Sequence, residues 1–373
     1  MNKLIVSIAL PYHDRSISVL NDGILVDFII EDRISRNKYD NKFPLLSLQT
    51  LKDKYPEVNT ILISQVGDDF NQADPLIEAI KKLNIKYNKI ITLPVNEHHS
   101  LHASAGFYSS GFEEAGILVI DGHGGLDKIK HEDRELIGTT TTSIWKGSYA
   151  EGIEKKYKKI WYLPSENNSF PDYLLDKYKQ EEDEWSPTPD IGVMYTTIGM
   201  HLGFPFVGDA GKVMGLSSYG KENNLPPFLF EDTIECNPSV MKNNYSLYTK
   251  LHPILGVYSD ENRKNLAYNV QKSLEKVFLT RVEQTLNLCN SNNLVLSGGC
   301  FLNVIGNYLI KKNFPNINIF ADPLANDGNL SLGAAKSYYY FNNEPKVRDP
   351  LSTLFLGPSY TKEEILNSIK KYA

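Results

Sequence analysis

Residues 4–30 read LIVSIALPYHDRSISVLNDGILVDFII, and this stretch decides the fold. Leu4 to Leu10 is an apolar run of strand length, and Ile17 to Leu20 is a second. Asn21-Asp22-Gly23 supplies residues that tolerate positive φ, the chemistry of a tight hairpin turn. Ile24, Val26, Phe28 and Ile30 then alternate with other residues, which predicts a third strand. Further along, Leu45 to Lys54 reads as a helix and Thr60 to Ser64 as a strand. Asp74 to Leu83 reads as an amphipathic helix with Pro75 in its first turn. Asn96 is placed to cap a helix that carries several histidines. Gly116 to Ile120 is a short buried strand ending in Asp121-Gly122. Ile191 to Leu202 and Tyr268 to Leu288 read as helices, and Leu294-Val295-Leu296-Ser297 as a strand. The turn Asn326-Asp327-Gly328 opens a final helix through Tyr340.

Alternating strands and helices predict an α/β protein. Meanders of this kind recur at the front of the actin, sugar-kinase and heat-shock ATPase fold, in which two related ribonuclease-H-like lobes close over a nucleotide. A length of 373 residues suits about two such lobes. Residues 126–190 are polar and irregular, with a charged stretch Gln180 to Glu184 and the breakers Pro187 and Pro189. They are expected to be an insertion in a first lobe spanning 1–190. A second lobe follows over 191–345, and then a C-terminal segment, 346–373.

Composition narrows the function classes. With 41% hydrophobic and 23% charged residues the chain has the balance of a globular protein. Cys236, Cys289 and Cys300 form no CxxC pair, which points to a reducing compartment and away from a cysteine zinc site. No apolar run reaches the ~18–20 residues that span a bilayer, and the N-terminus runs straight into a strand pattern, so a cytoplasmic protein is expected. A net charge of −6 weighs against a large nucleic-acid surface. The basic run Lys155-Lys156-Tyr157-Lys158-Lys159 is expected to be a solvated face.

The sharpest local signal is Glu97-His98-His99-Ser100-Leu101-His102. A helix sets His98 and His102, four residues apart, on one face, where both imidazoles can reach a single divalent metal. A lone pair at this spacing is equally compatible with surface or capping histidines. Asp121 sits at the carboxyl end of an apolar strand, where α/β active sites gather. Asp327 lies in a glycine-containing turn before a helix, a position that also suits a plain turn residue. Together His98, His102, Asp121 and Asp327 make a set that suits Fe(II), Mn(II) or Zn(II) better than Mg or Ca.

Two glycine-rich segments add a candidate nucleotide site. Gly208-Asp209-Ala210-Gly211-Lys212-Val213-Met214-Gly215-Leu216 surrounds a lysine but departs from a Walker A loop at Val213. Glycines such as Gly215 let backbone approach a ligand, and Lys212 can neutralise a phosphate. Ser297-Gly298-Gly299-Cys300-Phe301-Leu302-Asn303 follows a strand and precedes a helix. Gly298, Gly299 and Asn303 are therefore candidates for nucleotide or phosphate contact.

In combination these segments resemble the O-carbamoyltransferases of the NodU/CmcH type. The resemblance runs through His13-Asp14; Glu31-Asp32-Arg33-Ile34-Ser35-Arg36-Asn37-Lys38; His98 to Ala105; Val119-Ile120-Asp121-Gly122; Gly211 to Gly220; Ser297 to Asn303; and Asp327 to Ala335. It covers nearly the whole chain. It implies a metal site, usually iron, at His98, His102, Asp121 and Asp327, and a donor, carbamoyl-adenylate, made from ATP and carbamoyl phosphate. Typical members continue past the segment like Leu356-Gly357-Pro358-Ser359-Tyr360 into a YrdC-like domain that makes this adenylate. Such a domain is an expected partner, within the polypeptide or as a separate chain. Smaller departures are Cys300, where the family often has a small aliphatic residue, and Gly122-His123-Gly124-Gly125.

The implied reaction moves a carbamoyl group to a hydroxyl of a sugar, an antibiotic-like small molecule, or a hydroxymethyl group on a nucleotide or DNA. His13, Asp14 and His123 are the candidate catalytic residues for the acceptor's proton. Two other readings stand beside this one: tRNA threonylcarbamoyl transfer, and a non-catalytic nucleotide-binding module.

Overall fold

The computed structural model describes residues 3–40, 42–65, 72–122, 124–131, 134–162, 183–186, 190–204, 207–222, 259–342, 347–356 and 360–372. The opening meander is present. β1 (Leu4–Leu10), β2 (Ser16–Asn21) and β3 (Ile24–Ile30) pair antiparallel. Asp22 at φ 48° and Gly23 at φ 88° make the hairpin turn. Two parallel strands, β4 (Glu57–Gln65) and β5 (Lys86–Thr92), complete a sheet of order β3-β2-β1-β4-β5. After α1 (Glu31–Ser35), helices α2 (Leu45–Lys54) and α3 (Ala73–Lys82) bury Leu48, Leu51, Leu76 and Ile80 against one face of this sheet.

The second sheet takes β6 (Glu114–Ile120), β7 (Leu126–His131), β8 (Arg134–Ser148), β9 (Gly152–Tyr162), β10 (Asp183–Ser186), β11 (Asn293–Ser297) and β12 (Asn318–Ala321). Its order is β10-β9-β8-β6-β11-β12, with β7 paired to β8. Without β7 and β10, the run β9-β8-β6-β11-β12 repeats the first sheet: an antiparallel trio followed by two parallel strands. One topology is thus used twice, as the duplicated-lobe expectation requires. The second sheet draws strands from both sides of residue 190.

Among the described residues the helices of the second half are α5 (Ile191–His201), α6 (Ala210–Ser217), α7 (Asp260–Cys289), α8 (Val304–Asn313), α9 (Asn329–Asn342) and α10 (Lys362–Tyr372); α4 (His98–Ser110) joins the two sheets. Helices α5 to α8 cover one face of the second sheet through Ile198, Val213, Leu274, Phe278 and Ile310. α4 and α9 fill the space between the sheets, joining Ala9 and Leu62 of the first to Ile117, Val119 and Val295 of the second. They cross so closely that a Cβ on Gly333 would lie 2.0 Å from the Leu101 carbonyl oxygen. Ser16 and Ser18 tie the first sheet to α9 through Ser331 Oγ, at 2.8 and 2.7 Å.

Several local expectations change. Residues 126–131 and 134–162 form strands, not irregular structure. The strand pattern was hidden because β8 buries hydroxyls instead of hydrocarbon: Thr139, Thr140, Thr141, Thr142 and Ser143 are all buried. Thr139 donates to Gly124 O, Thr140 to Asp127, and Thr142 to Asp190. Asn96 lies inside a 3₁₀ turn, Val95–Glu97, and does not cap α4, which starts at His98 without a side-chain cap. α7 begins at Asp260, where Ser259 Oγ accepts from Asn262 N. Gly208 to Leu216, read as a glycine loop, is a 3₁₀ turn leading into α6. No helix among the described residues is long and apolar enough to cross a membrane.

The basic run 155–159 is not a uniformly solvated face. Lys158 pairs with Asp127, and Lys159 is fully buried 4.0 Å from Asp190. Burial would raise the Asp190 carboxyl, but the charges of Lys159 and Arg281, with hydrogen bonds from Thr142 and Ile191 N, hold it below the usual range. Removing one partner of such a group leaves a buried charge uncompensated. Asp190→Ala is therefore expected to destabilise the fold by about 3–5 kcal/mol in a denaturant titration. Because the folded carboxyl is depressed, the wild-type contribution is present above the ordinary carboxylate pKa of about 4 and is lost as pH falls through the folded value. The gap between variant and wild type should accordingly narrow in acid.

Candidate metal centre

The first strand of each sheet ends in a loop that carries polar groups: β1 leads to His13-Asp14, and β6 to Asp121. α4 presents His98 and His102 one turn apart, both buried. His98 Nε2 lies 3.0 Å from Asp121 Oδ2 and 3.7 Å from Asp327 Oδ1. His102 Nε2 lies 3.6 and 3.7 Å from the same two oxygens, and 3.1 Å from His98 Nε2. One donor atom from each of the four residues falls within 4.8 Å of all the others. Four side chains from three distant parts of the chain thus converge at one point.

The donor set fits a divalent cation. Ligand atoms about 2.0–2.2 Å from a common centre lie roughly 3–4 Å from one another, the spacing seen between these imidazoles and carboxylates. The electrostatics agree. Burial opposes charge on His102, yet hydrogen bonds to Asp121 and Asp327 and their charges push its pKa up to about 10. Burial likewise opposes charge on Asp121, but His102 and His98 hold its carboxyl well below the usual range, and Asp327 is also lowered. The field at this point favours positive charge. The outer nitrogens, Nδ1 of His98 and of His102, are buried without a hydrogen-bond partner among the described residues.

His99 serves a different purpose. Burial and the neighbouring His98 hold its pKa well below the ordinary value, so it is neutral. Its Nδ1 meets Ser143 Oγ at 2.8 Å, and Ser143 Oγ also accepts from Trp145 Nε1. This side chain fastens α4 to β8.

Two glycines allow the site loops to close. Gly298 has φ 95°, and a Cβ there would lie 2.5 Å from Ile120 O. A Cβ on Gly192 would lie 2.4 Å from Asp121 O. The amide of Gly299 donates to Asp121 Oδ1 at 3.2 Å. That amide orients a candidate ligand and is not left pointing at an anion.

His13 Nδ1 contacts Asp14 Oδ2 at 2.9 Å, and Asp14 adopts φ 58°. Burial lowers the His13 pKa, but the Asp14 hydrogen bond and the charges of Asp327, Asp14 and Asp121 outweigh it and raise the value to about 9. His13 thus senses the four-residue cluster. His123 lies outside the described residues. Lys212 is exposed on α6 and pairs with Asp209 at 2.9 Å, while Gly215 sits within the same helix with open space beside it. The Asn303 side chain is committed to structure: it caps α8 by accepting from Gly306 N at 2.9 Å and donates to Gln271 Oε1 at 2.8 Å.

Sequence reasoning missed Asp322. It is buried and accepts from Leu324 N at 2.9 Å, Asn329 Nδ2 at 2.7 Å and Ser297 Oγ at 3.0 Å. It therefore ties the end of β11 to the start of α9, the two ends of the segment that presents Asp327. The signal was the one that marked Asp121, an acid at the carboxyl end of a strand, but β12 has only four residues, and its apolar run, Ile319 to Ala321, is too short to announce it. Asp322→Ala should weaken cation binding by about 10–100-fold, the usual effect of removing a group that orients ligands, as read by equilibrium dialysis.

The family model for the carbamoyltransferase N-terminus matches residues 50–336. Nodulation protein NolNO of Sinorhizobium fredii is 22% identical over 93% of this chain and 49% of its own length. An uncharacterized protein of Synechocystis sp. is 24% identical over 98% of this chain and 62% of its own. The chain therefore spans about half to three-fifths of the length of these relatives. Full-length HypF, solved in a phosphate- and nucleotide-bound form, aligns with TM-score 0.52 and 14% identity over 92% of this chain and 57% of HypF. That likeness shows the fold, the two-lobed actin, sugar-kinase and heat-shock ATPase architecture. With more than three-quarters of its length matched by the family model, the chain belongs to the carbamoyltransferase N-terminal family.

Proposed function

We propose that this chain transfers a carbamoyl group from carbamoyl-adenylate to a hydroxyl of an acceptor, at a divalent cation held by His98, His102, Asp121 and Asp327. The observation that carries the reading is the convergence of those two imidazoles and two carboxylates between the sheets. Family membership supports the carbamoyl chemistry. The mixed donor set suits Fe(II), Mn(II) or Zn(II). Once bound, such an ion supplies Lewis acidity toward a carbonyl oxygen.

The chain's own residues do the rest. The acceptor oxygen bonds to the carbamoyl carbon, the bond from that carbon to the phosphate oxygen of the adenylate breaks, and AMP leaves with the electron pair. The hydroxyl proton passes to the His13-Asp14 pair. His13 alone, at a pKa of about 9, is protonated at neutral pH. The largest influence raising it is the Asp14 hydrogen bond; Asp327 and Asp121 add to it, and a cation held between those two would offset their charges. His123, two residues past Asp121, is the second candidate for this proton. Lys212, Gly215 and Gly298 remain the candidates for holding the nucleotide, whereas the Gly299 amide holds Asp121 and Asn303 acts by fixing α8 behind them. ATP and carbamoyl phosphate are the sources of the donor, and a YrdC-like unit is the partner that joins them. Acceptors of the fitting class are sugars, small molecules and hydroxymethyl groups on nucleotides or DNA.

The test supplies purified chain, loaded with Fe(II), with carbamoyl-adenylate and a panel of hydroxyl compounds. An acceptor gaining one carbamoyl group, with AMP released, is the expected result. Transfer that persists in Asp121→Ala would contradict the reading. With ATP and carbamoyl phosphate instead, transfer should begin only when a YrdC-like partner is added.

A further inference from the structure

A different face of α4 lines a cavity of about 340 Å³, within the size range of small-molecule sites. Ser100 and Ser104 reach it from the helix that carries His98 and His102, and Glu97 from the 3₁₀ turn that leads into that helix. Trp145 and Tyr149 line it from β8 and the turn after it, and Tyr340 from the end of α9. The rings hold one another in place: Tyr108 stacks on Tyr340 at 4.1 Å between centroids, and Tyr149 meets Tyr340 edge-on at 5.3 Å. A rigid aromatic wall of this kind needs little reordering to receive a ligand.

Charge decides what kind of ligand. Glu97 and Glu151 are both at the cavity, and none of the described lining residues is Lys, Arg or His. Aromatic faces carry negative electrostatic potential and attract cations. This cluster already does so from outside, where the guanidinium of Arg348 lies 4.3 Å from the Tyr149 ring centroid. The two carboxylates do not belong to a set of candidate metal ligands among the described residues. A bare metal ion therefore lacks the ligands it needs, whereas an ammonium group can use rings, hydroxyls and acids together.

We propose that this cavity binds a small organic cation, an aliphatic amine or a quaternary ammonium ion. Aromatic faces replace part of its hydration, Glu97 and Glu151 balance its charge, and Ser100 and Ser104 accept from an N–H where the ligand has one. The site is separate from the metal cluster and does not depend on the carbamoyl chemistry.

Calorimetric titration of the full chain with putrescine and with tetramethylammonium tests it, with glucose as the uncharged comparison. At least one of the two cations should bind with Kd below about 1 mM. That affinity should fall about tenfold or more in the Glu97→Gln/Glu151→Gln double variant, and should weaken as salt is raised. The salt dependence of the wild-type protein decides the matter if the double variant proves unfolded by circular dichroism. Failure of both cations to bind, affinity unchanged by the double substitution or by salt, or equal affinity for glucose would overturn the proposal.

Discussion

His102→Ala is expected to remove the bound cation and to lower carbamoyl transfer by at least about a hundredfold, the scale on which a single preorganised electrostatic contact acts in catalysis. The reason is geometric. His102 is fully buried, and its Nε2 is 3.1 Å from His98 Nε2 and within 3.7 Å of both carboxylates. No other side chain in the cluster can move into its place, because α4 is fixed at His99 by Ser143 and at Leu101 by α9. The variant also opens a void beside Asp121 and Asp327 and leaves His98 as their one imidazole partner in the cluster, so a loss of stability of about 3–5 kcal/mol accompanies the loss of metal. Asp327→Asn separates the two effects. It keeps the volume and removes a charged ligand, so metal content should fall with a smaller change in melting temperature. Elemental analysis after dialysis, set beside a thermal melt of each variant, reads both.

Gly333→Val should be among the most damaging substitutions in the interior. Even the first added atom, the Cβ of alanine, would sit 2.0 Å from Leu101 O, and backbone on both sides leaves nothing flexible to yield. Alanine alone should cost about 3 kcal/mol, the upper end of ordinary overpacking, and valine should leave little folded protein. Leu101 lies between His98 and His102, so the same displacement moves the candidate ligands. Cation affinity and melting temperature should therefore fall together in Gly333→Ala. Gly211→Ala is the control: it adds the same methyl group in α6, where nothing lies within 4 Å. It should be neutral or slightly stabilising, because alanine is the better helix former. Thermal melts of the two variants with and without Mn(II) compare them directly.

The fold was legible at its front because residues 4–30 carry their pattern in hydrocarbon: apolar runs, an Asn-Asp-Gly turn and a clean alternation. The same topology recurs from residue 114 onward, where β6 and β11 were legible as apolar runs but β8 and β9 were not. β8 buries threonines, and the neighbouring β9 carries Lys158 and Lys159, whose charges are satisfied by Asp127 and Asp190. Internal pairing of polar groups removes the contrast on which strand recognition depends. The candidate metal residues were legible for a different reason. His98 and His102 share a helix face, and Asp121 ends an apolar strand, so local geometry implies their direction. Asp327 needed the family resemblance to stand out from an ordinary turn. Asp322 and Ser143 escaped notice because their roles come from contacts with Ser297 and His99, 25 and 44 residues away in the chain. Asn303 went the other way: its place after a strand and two glycines suggested a ligand contact, and the α8 cap and Gln271 occupy it.

In the proposed centre one cation sits among His98, His102, Asp121 and Asp327. Mn(II) titration followed by electron paramagnetic resonance tests it most directly, since the signal reports both stoichiometry and bound nitrogen. One tightly held Mn(II) per chain with hyperfine coupling to two imidazole nitrogens, lost in Asp121→Ala, is the expected result. Binding without nitrogen coupling, or binding unchanged in that variant, would contradict it.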